Sequence, residues 1–302
     1  MTETDQGTFA AYPSRHVRLG VLEITRALPI RQRRMVGPWC FLDRFGPLSF
    51  GEERPMDVAP HPHIGLQTVT WLLSGEVRHD DSLGSEAVVR AGGVNVMTAG
   101  RGISHAERTP VTNTGELSGV QLWAALPEAH RAITPTFESL TEVPAVEASG
   151  GVVQVFSGSL MGATSPTTHY SEILGVDVAL HPGGQLDLAL RPDFEHALLL
   201  LERECSFEQS PLQSGKLYVL GAGRSSASLH SKGGGRVLLL GGPPFGEEIL
   251  MWWNCVARTP DEIREAKAHW DSHSRFGQVT AYEGPRLEAP QLGKLAAANP
   301  MS

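Results

Sequence analysis

Apolar and polar residues alternate along most of this chain, and glycine and proline break the alternation at short intervals. The run Val17-Arg18-Leu19-Gly20-Val21-Leu22-Glu23-Ile24 alternates and predicts a strand, ended by the turn at Leu28-Pro29. Gly37-Pro38 and Gly46-Pro47 bound an aromatic strand from Trp39 to Phe45, because each Gly-Pro forces the chain out of regular pairing. Leu66 to Leu73 is rich in β-branched and aromatic residues, which suit a pleated, half-buried surface, and Ser74-Gly75 ends it. Val94 to Thr98 and Gly119 to Leu126 follow the same pattern. Further strands are predicted at Val152 to Phe156, Ile173 to Leu180, His196 to Leu201, Leu217 to Leu220 and Arg236 to Leu240, separated by turns such as His181-Pro182-Gly183-Gly184. Between the two sets the composition shifts to small and polar residues, from Pro144 to Gly151. That shift divides residues 1–145 from residues 146–302, each expected to form an all-β barrel or sandwich. A single helix breaks the pattern. Thr259-Pro260-Asp261-Glu262 is a capping box with proline at the first helical position, and Ile263, Ala266 and Trp270 share one face of a helix running to about Asp271. The Pro- and Ala-rich tail from Glu288 is expected to be loosely held.

The 302 residues are 41% hydrophobic and 19% charged, enough to bury a sizeable core. A formal charge of −8 opposes direct nucleic-acid binding, which needs clustered Lys and Arg. The short Arg31, Arg33, Arg34 group suggests only an exposed loop. No apolar run is long enough to span a bilayer, and the start Met1-Thr2-Glu3-Thr4-Asp5 lacks the features of a signal peptide, so a cytoplasmic location is expected. Cys40, Cys205 and Cys255 form no CxxC motif and are expected to be buried thiols.

The chemistry concentrates between His61 and Glu107. Residues two apart on a strand share a face, so His61 and His63 point the same way, as do His105 and Glu107. If their strands lie side by side, three imidazoles and one carboxylate converge. Imidazole nitrogen suits Fe, Cu, Ni and Zn, and the carboxylate adds a hard, negative donor. Four protein ligands leave open positions on an ion that prefers five or six. His79, beside Asp80 and Asp81, is expected on an exposed hairpin, with a supporting role behind the ligands as the alternative. In the second half His169, His181, His196 and His230 are not paired in this way, and that half is expected to hold no metal.

Gly37 to Pro47, His61-Pro62-His63-Ile64-Gly65 through Trp71, and Thr98-Ala99-Gly100-Arg101-Gly102-Ile103-Ser104-His105-Ala106-Glu107 together resemble the pirins, a branch of the cupin superfamily. The likeness is dense over roughly the first 125 residues. Gly241-Gly242-Pro243-Pro244-Phe245 through Trp252-Trp253-Asn254 also looks like bacterial pirins. The resemblance implies two jelly-roll (cupin) β-barrels packed face to face, followed by the C-terminal helix. It implies one mononuclear divalent metal in the first barrel, usually Fe(II), held by His61, His63, His105 and Glu107. Mn, Ni, Cu and Zn suit the same donors. Pirins are associated with quercetin 2,3-dioxygenase activity in bacteria and with transcriptional co-regulation in animals. The leading expectation is therefore an oxidoreductase that opens a flavonol-like aromatic substrate with dioxygen, with Glu107 as ligand and catalytic base. The alternative is a non-enzymatic co-regulator whose affinity for a protein partner follows the metal's redox state. Trp39, Phe41 and Trp71 are candidates for walling a flat ligand, with core packing expected for at least two of them. Where many pirins carry Glu four residues after the second histidine, this chain has Gln67, expected to lower the negative charge near the metal and remove a possible base.

Overall fold

The computed structural model describes residues 9–19, 22–51, 55–293 and 295. The first half builds a seven-stranded sheet in the order Thr136–Leu140, Val94–Thr98, Leu66–Ser74, Glu116–Ala125, Trp39–Ser49, Leu22–Leu28, Arg15–Leu19. Against it lies a four-stranded sheet, Asp57–His63, Ile103–Arg108, Glu76–Asp81, Glu86–Arg90. The stretch predicted as one strand from Val17 to Ile24 is a hairpin, with Val17 opposite Ile24; Gly20 and Val21 lie outside the described residues. A hairpin keeps period two in both arms, so alternation alone does not separate the two cases.

The second half repeats the plan. Its seven-stranded sheet runs Phe9–Pro13, Lys216–Leu220, Glu195–Glu202, Gly235–Gly242, Leu174–Leu180, Gly151–Ser157, Ala145–Ala148. Gln185–Ala189, Ser226–His230, Ser206–Phe207 and Ser210–Pro211 form the opposing four-stranded sheet. Phe9–Pro13 thus completes the second half's sheet, beside Lys216–Leu220, as Thr136–Leu140 completes the first half's beside Val94–Thr98. Ala145–Ala148, within the stretch that looked like a linker, is a strand paired with Gly151–Ser157.

The two large sheets pack on one another. Trp39, Leu42, Trp71 and Leu122 of the first half share a core with Phe156, Leu199, Leu217 and Leu238 of the second. On Glu195–Glu202, Leu198 and Leu200 face their own barrel while Ala197, Leu199 and Leu201 face the other. This explains a strand without polar alternation: both faces are buried. Trp71 stacks on Phe156 with centroids 5.1 Å apart and donates from Nε1 to Asp177 Oδ2 at 2.6 Å. Trp39 Nε1 donates to the Leu174 carbonyl at 2.9 Å. Both tryptophans belong to this core, away from the metal-binding candidates.

After the second barrel the chain returns to the first. Leu250–Trp252 and Cys255–Ala257 form a hairpin, joined to the first half by a parallel bridge from Cys255 to Ile64. Gly65 adopts φ +69°, and a Cβ there would lie 2.1 Å from the Val256 carbonyl oxygen, so only glycine allows this approach. The helix is Pro260–Asp271, as its capping residues predict: Thr259 Oγ1 accepts from Glu262 N at 3.3 Å, and Glu262 Oε2 accepts from Arg258 N at 3.0 Å. Ile263, Ala266 and Trp270 pack against Ile64, Cys255 and Phe276. The tail is more tightly held than expected, since Ala289, Leu292 and Leu295 pack on this cluster and Leu287 N donates to Pro60 O at 2.9 Å. All three cysteines are buried and free, and burial pushes the Cys40 and Cys255 thiols up to about 12. Among the described residues no helix is long and apolar enough to cross a membrane.

Candidate metal centre

Ile103–Arg108 lies antiparallel to Asp57–His63, with His105 opposite His61 and Ile103 opposite His63. The register shifts between His105 and Glu107, so Glu107 comes to stand opposite Val58; such a bulge re-aims a side chain. On the other edge of Ile103–Arg108, Glu107 stands opposite His79 and His105 opposite Asp81. The sheet therefore gathers the motif residues of both strands on one face, together with part of a third strand.

Ligand atoms of His61, His63 and His105 lie within 4.8 Å of one another, and all three residues are buried. A second such group joins His105 to Glu107 and His79. His61 Nδ1 lies 2.9 Å from the Ala59 carbonyl, and His63 Nδ1 lies 2.9 Å from the Asn254 carbonyl. A carbonyl only accepts, so both rings carry their hydrogen on Nδ1 and present Nε2 as a lone pair. His63 Nε2 faces His105 Nε2 at 3.0 Å. Two nitrogens each about 2.1 Å from one ion at a right angle lie about 3 Å apart. This donor set and spacing fit a divalent metal. Burial moves all three imidazoles toward the neutral form that ligates: His61 is lowered to about 4, and His63 and His105 fall well below their usual range.

Burial pushes the Glu107 carboxyl upward, opposed by hydrogen bonds to Thr70 and Gln121. Thr70 Oγ1 lies 3.2 Å from Glu107 Oε1 and 2.9 Å from Gln121 Oε1. His79 is buried, which overturns its placement on an exposed hairpin. Its ring stacks on Phe137 at 4.2 Å, its Nδ1 lies 3.2 Å from His105 Nδ1, and its Nε2 lies 3.1 Å from Asp81 Oδ2. Burial alone would raise the Asp81 carboxyl, but hydrogen bonds from His79 and Ser85 hold it below the ordinary range.

The histidines and Glu107 open on a cavity of about 460 Å³. Phe41 and Trp123 line it as a stacked pair with centroids 3.9 Å apart. Arg26 sits over Phe41 and holds Asp43 through two hydrogen bonds of 2.7 Å. Trp253, Asn254 and Leu287 close another side, so the chain after the second barrel supplies part of the wall as well as the Asn254 carbonyl on His63. Of the three aromatics singled out in the sequence, only Phe41 lines the cavity; Trp123, its stacking partner, was missed. Gln67 is also displaced from its expected role. Its Nε2 donates to Thr98 Oγ1 and to the Thr168 carbonyl, each at 2.9 Å, and His169 Nδ1 lies 3.2 Å from its Oε1. Gln67 belongs to the contact between the barrels, on the face of its strand opposite Thr70.

The sequence profile described as Pirin matches residues 21–124, and that of the Pirin C-terminal cupin domain matches residues 175–277. A Pseudomonas aeruginosa protein provisionally named as a quercetin 2,3-dioxygenase is 44% identical over 274 residues, which cover 90% of this chain and 87% of that one. A pirin-like protein of Caulobacter vibrioides is 37% identical, over 86% of this chain and 91% of the other. Among solved structures, a quercetin 2,3-dioxygenase of Acinetobacter baumannii superposes with a TM-score of 0.93 at 41% identity, over 97% of this chain and 98% of that one. The Escherichia coli pirin YhhW, crystallised with nickel(II), shares the fold at a TM-score of 0.63 and 20% identity, over 78% of this chain and all of its own (100%). With its barrel pair, its buried histidine cluster and these relatives, the chain belongs to the pirin family of bicupins.

Proposed function

We propose that this pirin is an Fe(II)-dependent dioxygenase that opens a flavonol-type ring, with His61, His63, His105 and Glu107 as the metal ligands. The observation that carries this reading is the placement of a buried, neutral histidine cluster and one carboxylate at the wall of a cavity lined by a stacked aromatic pair. The relatives named for quercetin 2,3-dioxygenase support the substrate class. When bound, the ion supplies Lewis acidity to a substrate hydroxyl and a centre at which dioxygen reacts. The chain's own residues do the rest. Glu107, the carboxylate at the cavity wall, takes the hydroxyl proton on its carboxylate oxygen. The Phe41–Trp123 wall holds a flat ring, and the Arg26–Asp43 pair offers donors and acceptors to its polar substituents. Trp253 and Leu287 keep water from the reacting face.

The test is oxygen uptake with quercetin by the full chain loaded with Fe(II) without air, beside Glu107→Gln. Uptake by the wild type that falls at least about 100-fold in the variant supports the reading. No uptake by a chain that carries stoichiometric iron overturns it and favours the metal-dependent protein-binding role.

A further inference from the structure

We propose that Asp81, acting through His79, fixes the tautomer of His105 so that His105 offers Nε2 to the ion. This rests on the metal-centre reading of the cluster and is independent of the flavonol substrate. Asp81 is the anchor. Its Oδ1 accepts from the backbone N–H groups of Leu83 and Ser85 at 2.8 and 3.0 Å, which leaves Oδ2 for His79 Nε2 at 3.1 Å. A carboxylate only accepts, so His79 carries its hydrogen on Nε2, and Nδ1 of the neutral ring is an acceptor. That nitrogen faces His105 Nδ1 at 3.2 Å, so His105 must donate from Nδ1. Its Nε2 is then a lone pair, directed toward His63 Nε2.

The same polarity already holds for the other two rings, each donating from Nδ1 to a backbone carbonyl. His61 and His63 are fixed by backbone groups. Among the described residues His105 has no carbonyl partner; a side-chain relay crossing two strands does the equivalent work. Phe137, stacked on His79 with an interplanar angle of 7°, holds the relay ring in plane. The opposite tautomer of His105 would place its hydrogen on Nε2, toward His63, and close the site to an ion. His79 and Asp81 are positioning residues in this account: neither donates an atom to the metal, and His79 is excluded as a ligand because both its nitrogens are engaged.

Asp81→Asn separates this from a structural role. The two backbone N–H groups hold the amide oxygen, so the NH2 group faces His79 Nε2, which must now accept. The hydrogen of His79 moves to Nδ1 and that of His105 to Nε2, so the relay is inverted. The experiment combines long-range 1H–15N correlation spectra of the histidines in the full-length metal-free and zinc-loaded protein with zinc and nickel affinity by chelator competition. Expected in the wild type are His79 protonated on Nε2 and His105 on Nδ1, and in Asp81→Asn the reversed pair with about 10- to 100-fold weaker metal binding. A wild type with the reversed tautomers overturns the proposal even if the variant fails to fold. So does a folded variant whose affinity stays within about twofold of the wild type. A wild type that binds no ion would sink the metal-centre reading instead, while its metal-free tautomers would still decide the relay.

Discussion

In the first half, residues facing the barrel interior include His61, His63, His79, His105 and Glu107; in the second, the interior is made of Leu186, Leu188, Leu198, Leu200, Phe207 and Leu239. Strand order is nearly superimposable between the two: seven strands against four, the second half's large sheet being finished by Phe9–Pro13 from the start of the chain and the first half's by its own Thr136–Leu140. The ladder of backbone hydrogen bonds therefore does not specify chemistry. What differs is how inward positions are satisfied. Polar groups taken from water lose several kcal/mol each unless they find partners, and those of the first half's cluster find them: the Ala59 carbonyl on His61, the Asn254 carbonyl from beyond the second barrel on His63, His79 on His105, Thr70 on Glu107. In the second half dispersion and apolar burial suffice.

The largest effect separating the barrels is expected from His63→Ala. The variant loses stoichiometric metal after reconstitution, as read by elemental analysis, while the metal-free protein keeps its fold because a buried polar ring has been removed. Full retention of metal would remove His63 from the ligand set. The converse substitution, Phe207→Ala, excavates the second core, where the ring packs edge-on against Phe9 at 5.5 Å. It is expected to lower the unfolding free energy by about 3–5 kcal/mol in denaturant titrations while leaving the metal affinity of the folded protein unchanged. A matching fall in affinity would mean that the barrels are energetically one unit.

How far this division was legible in the sequence depends on the distance of each partner. His61 with His63 and His105 with Glu107 share faces by local period two, so both pairs could be seen without knowing what lies across from them. His79 could not be placed, because the residues that bury and orient it, Phe137 and His105, come from strands far along the chain. The signal was present in Val77, His79 and Asp81, which alternate on one face, but Asp80-Asp81-Ser82 resembles a solvated turn. Gln67 was expected near the metal from the resemblance alone; it stands three residues from Thr70, whose hydroxyl meets Glu107, and so lies on the other face of its strand. Ala145–Ala148 was hidden by its small and charged residues, and nothing local in Phe9–Pro13 shows that its partner is Lys216–Leu220. The helix was read to its last residue because its caps are local.

Acid provides a smaller and more graded way to separate the interiors. His61 takes up a proton at about pH 6.5 in the unfolded chain but at about 4 in the folded metal-free protein. The unfolded state therefore binds more protons in that window, and stability is full above 6.5 and lost as pH falls toward 4. For His61 alone the loss is about 3 kcal/mol. Replacing it by Gln should flatten the decline, and bound metal should shift it to lower pH. A metal-free wild type equally stable at pH 7 and pH 4.5 would contradict the buried, neutral cluster.

The smallest effect concerns the second barrel's own exception. His196 is fully buried beside Phe194, burial lowers its pKa to about 4, and neither ring nitrogen has a hydrogen-bond partner among the described residues. The same residue type that has ring-nitrogen partners at His63, His79 and His105 is orphaned here. An unsatisfied buried polar group costs about 1–3 kcal/mol, so His196→Leu, close in volume, should raise stability by about 1–2 kcal/mol at pH 7. The gain should be larger at pH 5, where the unfolded wild-type ring is protonated and the folded one is not. Thermal unfolding at the two pH values reads both quantities. A loss of stability in His196→Leu would instead show that the second barrel holds a polar partner for this ring, and its interior would no longer be the purely apolar counterpart of the first.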